Sequence, residues 1–346
     1  MTSNRERITD QYDRLAYEQI LKELNREPGP IKNLSTKASG AIGAKGRSIY
    51  ELLPESATSV ITQAMEKSFT GFHKLIREPS FRSIAHSRVK AKYQNLGHPI
   101  TSLDQIRELP LKTIDQATPP LSFAYAATMA LEGGVAGAAV TGATFSATFA
   151  TTATGGAAAG PSMGLVVGAI AADTATVLAA SMRAIAHVGA YFGHDLRSPE
   201  EQVFALSIIN WSESGTSAAK TLAFQELSQV TQLLLQNASK KRLGEHAIVR
   251  VVEIMMKSIG FKMTKKRLGV AIPAIGIVFA AGLNANYLHS VAKGAQTSYR
   301  LRHLMQKYDL NPAEFGSIAI KASDTFENTF RDSQPDDEDS WLELGD

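Results

Sequence analysis

Residues 156–172 read Gly-Ala-Ala-Ala-Gly-Pro-Ser-Met-Gly-Leu-Val-Val-Gly-Ala-Ile-Ala-Ala. Gly156, Gly160, Gly164, Gly168 and Ala172 recur every four residues. On a helix of about 3.6 residues per turn this lines the small side chains along one face. A strand would alternate with a period of two, and nothing alternates here. A helical face without bulk lets a second helix come close. Gly155-Gly156 and Pro161 mark the break at which this helix is expected to begin.

The stripe closes a longer tract. Gly133–Ala172 runs for 40 residues without a charge and holds 13 Ala, 9 Gly, 6 Thr and 2 Ser. Only 9 of its residues are Val, Leu, Ile, Phe or Met. At about 0.3–0.6 kcal/mol for each such residue, the tract is a weak membrane span despite its length. Leu268–Leu288 is also uncharged and richer in Ile, Val, Leu and Phe, but it carries Asn284 and Asn286. Lys265, Lys266 and Arg267 flank it on one side, and Lys293, Arg300 and Arg302 on the other. A single span carries its basic excess on one flank, so a core helix or an interfacial helix fits better. The remaining alternative is an integral membrane protein that uses 133–172 as a hairpin.

Helical patterning continues on both sides. Residues 5–26 form an amphipathic pattern that Pro28-Gly29-Pro30 ends. Residues 49–76 and 81–93 are helical in pattern, and Thr101 with Asp104 reads as a capping box for a short helix before Pro110. Ser198-Pro199-Glu200-Glu201 is a strong helix start: Ser198 caps, Pro199 takes the first helical position, and Glu201 stands where a capping box needs its carboxylate. Further helices are expected near 217–237, 243–259 and 311–330, with a long one over 264–308 kinked at Pro273. No alternating βα pattern exists. The chain is therefore expected to be all-α, a multi-helix bundle with a Gly/Ala-rich central layer of closely packed helices. Its expected organisation is an N-terminal amphipathic helix over 1–27, a helical domain over 48–330 and an acidic tail over 332–346.

The charge is unevenly spread. The net charge is +3, but residues 332–346 hold seven acids and no base, leaving +10 on residues 1–331. A basic body suits an anionic surface. Nucleic acid is not expected, because the basic residues lack interleaved aromatics and form no known module. Cysteine is absent, which excludes a disulfide scaffold, a thiolate metal site and a Cys nucleophile. The first residues show no apolar signal segment, so a cytoplasmic protein, peripherally membrane-associated, is expected.

Catalytic signatures are missing: no phosphate loop, no Gly-x-Ser-x-Gly elbow, no His-Glu-x-x-His, no calcium loop. The polar residues among the small ones are informative instead. Glu132, Asp173, Arg183 and His187 are followed by Tyr191-Phe192-Gly193-His194-Asp195-Leu196-Arg197. A charge among buried small residues must be paired, solvated or neutralised. One reading is structural, with Arg183 paired to Glu132 or Asp173 and Asn284 part of the same polar core. The other is a hydrolytic or metal-dependent site where Glu132, Asp173, His187, His194 and Asp195 converge on a metal or a water. Their spacing matches no metal signature, so no cofactor or metal is assigned. Lys262, Lys265, Lys266 and Arg267, with Arg300 and Arg302, form the expected anion-binding set, at about 1 kcal/mol per basic residue near an anionic membrane.

Three features together resemble the EcsC family, a bacterial family named after a component of an ABC-transporter operon. Leu111-Lys112-Thr113-Ile114-Asp115 precedes an Ala-rich helix that ends in Leu131-Glu132-Gly133-Gly134. Ala172-Asp173 leads through Arg183 to Tyr191–Asp195, the Pro199-Glu200-Glu201 helix start and Phe204-Ala205-Leu206. Pro273-x-x-Gly276 is followed by Asn284 and Tyr299-Arg300-x-Arg302. The likeness covers roughly residues 50–305. His194 stands where the family has an aromatic before its aspartate. The resemblance implies an all-helical fold and an association with membrane systems, and it implies no established activity. The expected function is a non-enzymatic helical protein that binds lipid, an anionic membrane surface or a membrane protein partner.

Overall fold

The computed structural model describes residues 3–24, 84–127, 159–213, 223, 227, 245–268 and 276–311. All regular structure among them is helical, as expected from the sequence: α1 (Asn4–Arg7), α2 (Gln11–Leu24), α3 (His86–Asn95), a 3₁₀ turn (Asp104–Glu108), α4 (Leu111–Ala117), α5 (Ala159–Tyr191), α6 (Pro199–Glu213), α7 (Glu245–Leu268) and α8 (Gly276–Tyr308). Residues 121–127 are helical as well.

The two 33-residue helices α5 and α8 form the spine and pack along each other, with α6 and α7 against them. On another side α8 takes α2 and α4, while α3 packs on α5. The shared core holds Val177, Leu178, Ile185, Phe192, Phe204, Ile208, Leu288, Val291, Tyr299 and Leu304, all at or near zero exposure. Each large apolar side chain buried in this way contributes about 1.5–3 kcal/mol.

Small residues do let these helices meet closely. A Cβ on Gly189 of α5 would lie 2.7 Å from the Tyr299 hydroxyl of α8, and one on Gly294 would lie 2.8 Å from Ser212 Oγ and 3.0 Å from the Trp211 ring of α6. These are not the glycines of the four-residue stripe. Gly160, Gly164 and Gly168 lie in the first turns of α5, where only the backbone is described, and Gly156 lies outside the described residues.

Pro161 falls in the first turn of α5, where its missing N–H breaks no helical bond. At the other end the helix stops by geometry. Gly193 has φ +80, its N–H donates to the Ala190 carbonyl at 3.2 Å, and the His194 N–H donates to the Gly189 carbonyl at 2.8 Å. This pair of bonds is a Schellman motif, which needs a left-handed residue at Gly193. The same bonding ends α3 at Gly97, φ +85. At Gly193 there is no room for a side chain: a Cβ would meet the Leu103 carbonyl oxygen at 2.6 Å and Arg107 Cγ at 2.9 Å. Gly193→Ala is therefore expected to lower the unfolding free energy by about 2 kcal/mol or more, from the left-handed backbone plus the clash. Urea denaturation measures it; a loss under about 0.5 kcal/mol would mean that the loop relaxes freely.

Several boundaries differ from the sequence reading. The N-terminal pattern splits into α1 and α2, because Ser3 closes a capping box with Glu6 around α1 and Asp10 Oδ1 accepts the Asp13 N–H at 3.0 Å as a new start. The turn at 104–108 is capped by Gln105, whose Oε1 accepts the Thr101 N–H at 2.8 Å and the Ser102 N–H at 3.2 Å, and Asp104 takes no part in that bond. Helix α7 runs unbroken to Leu268, through the gap expected at 260–263. The expected kink at Pro273 and the last helix lie outside the described residues, as do the acidic tail and most of 217–237.

Candidate functional site

Two helical pairs interlock at the centre. On α6, Glu201 and Phe204 stand one turn apart; on α8, Tyr299 and Arg302 do the same. Glu201 Oε2 accepts from Arg302 Nη1 at 2.8 Å, and Oε1 accepts from Nη2 at 2.7 Å. The fork geometry of guanidinium and carboxylate makes this the strongest kind of ion pair. Phe204 meets the Tyr299 ring edge-on at 5.1 Å, and the Arg302 guanidinium lies over the Phe204 ring at 4.7 Å, a cation–π contact.

His194 completes the node. The Schellman turn places it just past α5, where its ring stacks on Tyr299 at 5.2 Å and its Nδ1 lies 3.0 Å from Glu201 Oε1. Phe192 also stacks on this tyrosine, at 5.9 Å. His194, Arg302 and Tyr299 are buried, at 5%, 5% and 0% exposure. Burial, helped by the Arg302 charge, pushes the His194 imidazole down to about 4 against the pull of Glu201. Burial works against the Glu201 charge, but His194 and Arg302 outweigh it and hold the carboxyl well below the usual range. At neutral pH the node is therefore an ionised Glu201, a charged Arg302 and a neutral His194 that donates from Nδ1. Both carboxylate oxygens are occupied.

A second cluster joins three elements. Arg300 donates through Nη2 and Nε to Asp115 Oδ2 on α4, at 2.8 and 3.1 Å. Tyr12 of α2 donates to the same oxygen at 2.9 Å. Asp115 Oδ1 is buried and has no hydrogen-bond partner among the described residues, and burial raises this carboxyl despite the arginine. A third cluster seats Asp13, only 2% exposed, against Lys307 Nζ at 2.7 Å and the Tyr308 hydroxyl at 2.8 Å.

These contacts correct part of the sequence reading. Arg302 does not face an anionic surface, because it is buried and committed to Glu201. Arg300, with 18% of its side chain exposed, is held by Asp115. Glu201 does not close a capping box. Its N–H donates to Ser198 Oγ at 3.4 Å, but its carboxylate goes to His194 and Arg302, and the Ser198 N–H donates to the Asp195 carbonyl at 3.1 Å instead. Asp195 is turned to Arg197, whose Nε donates to Oδ2 at 2.8 Å; burial opposes its charge, and Arg197 lowers its pKa all the same. His187 sits half-buried beside Tyr125, whose hydroxyl lies 3.2 Å from Nδ1, and burial with the Arg183 charge lowers its pKa. Arg183 itself is exposed.

His187, His194 and Asp195 thus have separate partners. The other expected members cannot be placed among them: Glu132 lies outside the described residues, as do the side chains of Asp173 and Asn284. Among the described residues no group of three or more His, Asp or Glu is arranged to hold a metal. Sequence reasoning missed Asp13, Asp115, Glu201 in its ionic role, and Tyr299. The i, i+3 spacing of ring and charge on both α6 and α8 was the available signal.

The basic run Lys262–Arg267 falls in the last two turns of α7. Lys262 is exposed, while the side chains of Lys265, Lys266 and Arg267 lie outside the description. No described helix is long and apolar enough to cross a membrane.

Residues 144–304 match the model of the EcsC protein family. The chain is also 22% identical over 140 residues to the uncharacterized protein YdbA of Bacillus subtilis (strain 168), covering 40% of this chain and 48% of that relative. The chain thus spans about half the length of the relative it matches. No solved structure matches it. The matched region contains α5, α6, α7 and α8 as far as Leu304, and hence the whole His194–Glu201–Arg302 node.

Proposed function

From the membership of residues 144–304 in the EcsC family, we propose that this is a non-enzymatic helical protein that docks on anionic membrane surfaces through the basic end of α7. The observation that carries the reading is the position of Lys262, Lys265, Lys266 and Arg267 in the closing turns of a helix. Cations are favoured there, because the helix dipole leaves partial negative charge on the last carbonyls. Lys262 projects to solvent, and each such residue contributes about 1 kcal/mol near an acidic leaflet. Two of the side chains that an enzyme reading would draw on are already engaged, His194 with Glu201 and Asp195 with Arg197.

The test is flotation of the full chain on phosphatidylcholine vesicles with and without phosphatidylglycerol. Binding should require the acidic lipid and fall as salt rises, since the interaction is screened over about 10 Å at 0.1 M salt. Replacing Lys262, Lys265, Lys266 and Arg267 one at a time by glutamine should cut affinity about fivefold each. Equal flotation on neutral vesicles, or affinity indifferent to all four replacements, would reject this docking mode. A full chain that ignores both vesicles would point to a protein partner instead.

A further inference from the structure

Lys293, Arg300 and Lys307 follow one another at seven-residue intervals on α8, so they share one helical face, drifting about 20° per step. Helix α2 lies along that face. Glu23 pairs with Lys293, Gln19 Oε1 accepts from Arg300 Nη1 at 3.4 Å, and Asp13 pairs with Lys307 at 2.7 Å. As the α8 numbers rise the α2 numbers fall, so α2 runs antiparallel and sets its acids against the basic residues. Between the ionic contacts Ala16, Tyr17 and Ile20 are buried, Tyr12 and Leu21 pack beside them, and Tyr12 bonds to Asp115. The lysines are 44% and 40% exposed at their side chains. Glu23 is 33% exposed and Asp13 3%, so the Lys293–Glu23 contact is the more open to salt screening and to competing anions.

The far end is tied by directional bonds. The Asn4 side-chain amide donates to the Asn311 carbonyl at 2.8 Å and accepts the Asn311 N–H at 2.7 Å. Arg7 Nη1 donates to the Asp309 carbonyl at 2.5 Å. These bonds hold α1 at the C-terminal end of α8, while α2 beyond it is held by the two lysine pairs, the Tyr12–Asp115 bond and its buried apolar residues.

The geometry points to α2 as an electrostatic strap over a second basic face: an acidic-lipid bilayer competes with Asp13 and Glu23 for Lys307 and Lys293, and α2 lifts from α8 when that face engages. This rests on the membrane reading above and adds a regulated surface to it. Arg300 stays with Asp115 when the strap lifts, so the freed charge comes from the two lysines. Asp13 and Glu23 would otherwise repel the same lipid headgroups, so their departure adds to the gain.

The chain has no cysteine, so an Ala16→Cys variant carries a single reporter thiol at a position 2% exposed. Its maleimide labelling should accelerate on the order of tenfold with phosphatidylglycerol vesicles and stay slow with neutral ones. An Asp13→Asn/Glu23→Gln variant should bind acidic vesicles about tenfold more tightly at low salt, and adding Lys293→Gln/Lys307→Gln should cancel the gain. Because Asp13 is buried, Glu23→Gln alone serves as a second variant, with about a fivefold gain; circular dichroism checks that each variant is folded. If the protein binds vesicles while the reporter thiol stays protected, or if neither acid-neutralised variant gains affinity, the strap is wrong and the membrane reading stands. If the wild type and both acid-neutralised variants all ignore acidic vesicles, both fail.

Discussion

Replacing Glu201 by alanine should destabilise the protein by about 3–5 kcal/mol, because it strands a buried guanidinium. Arg302 has 7% of its side chain exposed, and without Glu201 both Nη groups lose their acceptor while Nε has none among the described residues. His194 loses the acceptor of its Nδ1 proton in the same step. Domains of this kind are stable by only about 5–15 kcal/mol in total, so the variant should sit near the edge of folding. Glu201→Gln keeps an acceptor and the shape, and its cost should be smaller. The informative comparison is Glu201→Leu combined with Arg302→Met. With the charge pair removed as a unit, stability should return to within about 2 kcal/mol of wild type, since a buried ion pair exchanged for apolar residues is often close to neutral. Urea denaturation of the singles and the double completes the cycle. A double variant as unstable as the two single losses added together would show that the residues do not act as a pair.

That pair also marks where the sequence stops being readable. The fold class followed from local patterns: small residues every four positions in 156–172, a Ser-Pro-Glu-Glu helix start, and no alternation. Those patterns rest on neighbours within one turn, and among the described residues α5 and α6 begin where they said, within a few residues. The partner of Glu201 is 101 residues away. Capping chemistry assigned the carboxylate to Ser198 because the local frame contains nothing else, and a more distant guanidinium claimed it. Arg302 failed for the same reason. Beside an uncharged stretch its charge reads as a flank, yet the packing of α8 between α5 and α6 turns it inward. His194 was singled out for its company in Tyr191–Arg197, and it does lie in a polar cluster, but with Glu201 and Arg302, not with Asp195 or His187. Gly193 carried the better signal: a lone glycine at the end of a long Ala-rich helix is the stop that puts His194 on Tyr299.

The same buried imidazoles make stability fall as the pH drops below neutrality, before Glu201 titrates. Burial lowers His194 to about 4, with Arg302 adding to the effect and Glu201 opposing it. Burial lowers His303, on α8 near Asp13 and Lys307, to about 4 as well. In the unfolded chain both return to about 6.5. Between those values the unfolded state holds protons that the native state refuses, so falling pH favours unfolding. Each imidazole, at about 4 in the fold against about 6.5 in the unfolded chain, removes about 3 kcal/mol across the window between those values. Burial lowers His86 and His187 in the same direction, which adds to the loss. Glu201 acts later. Its folded pKa lies below its unfolded one, so the stability that it supplies is intact above about pH 4.5 and lost only beneath it. Urea midpoints at about pH 7.5, 6 and 5 should therefore fall steadily, with unfolding in the absence of urea approached near pH 4. His303→Phe should make the slope shallower by roughly one imidazole's share while leaving His194 in place. Midpoints that stay level down to about pH 5 would mean that these imidazoles take up protons as readily in the fold as in water, with the Glu201 carboxylate outweighing burial at His194.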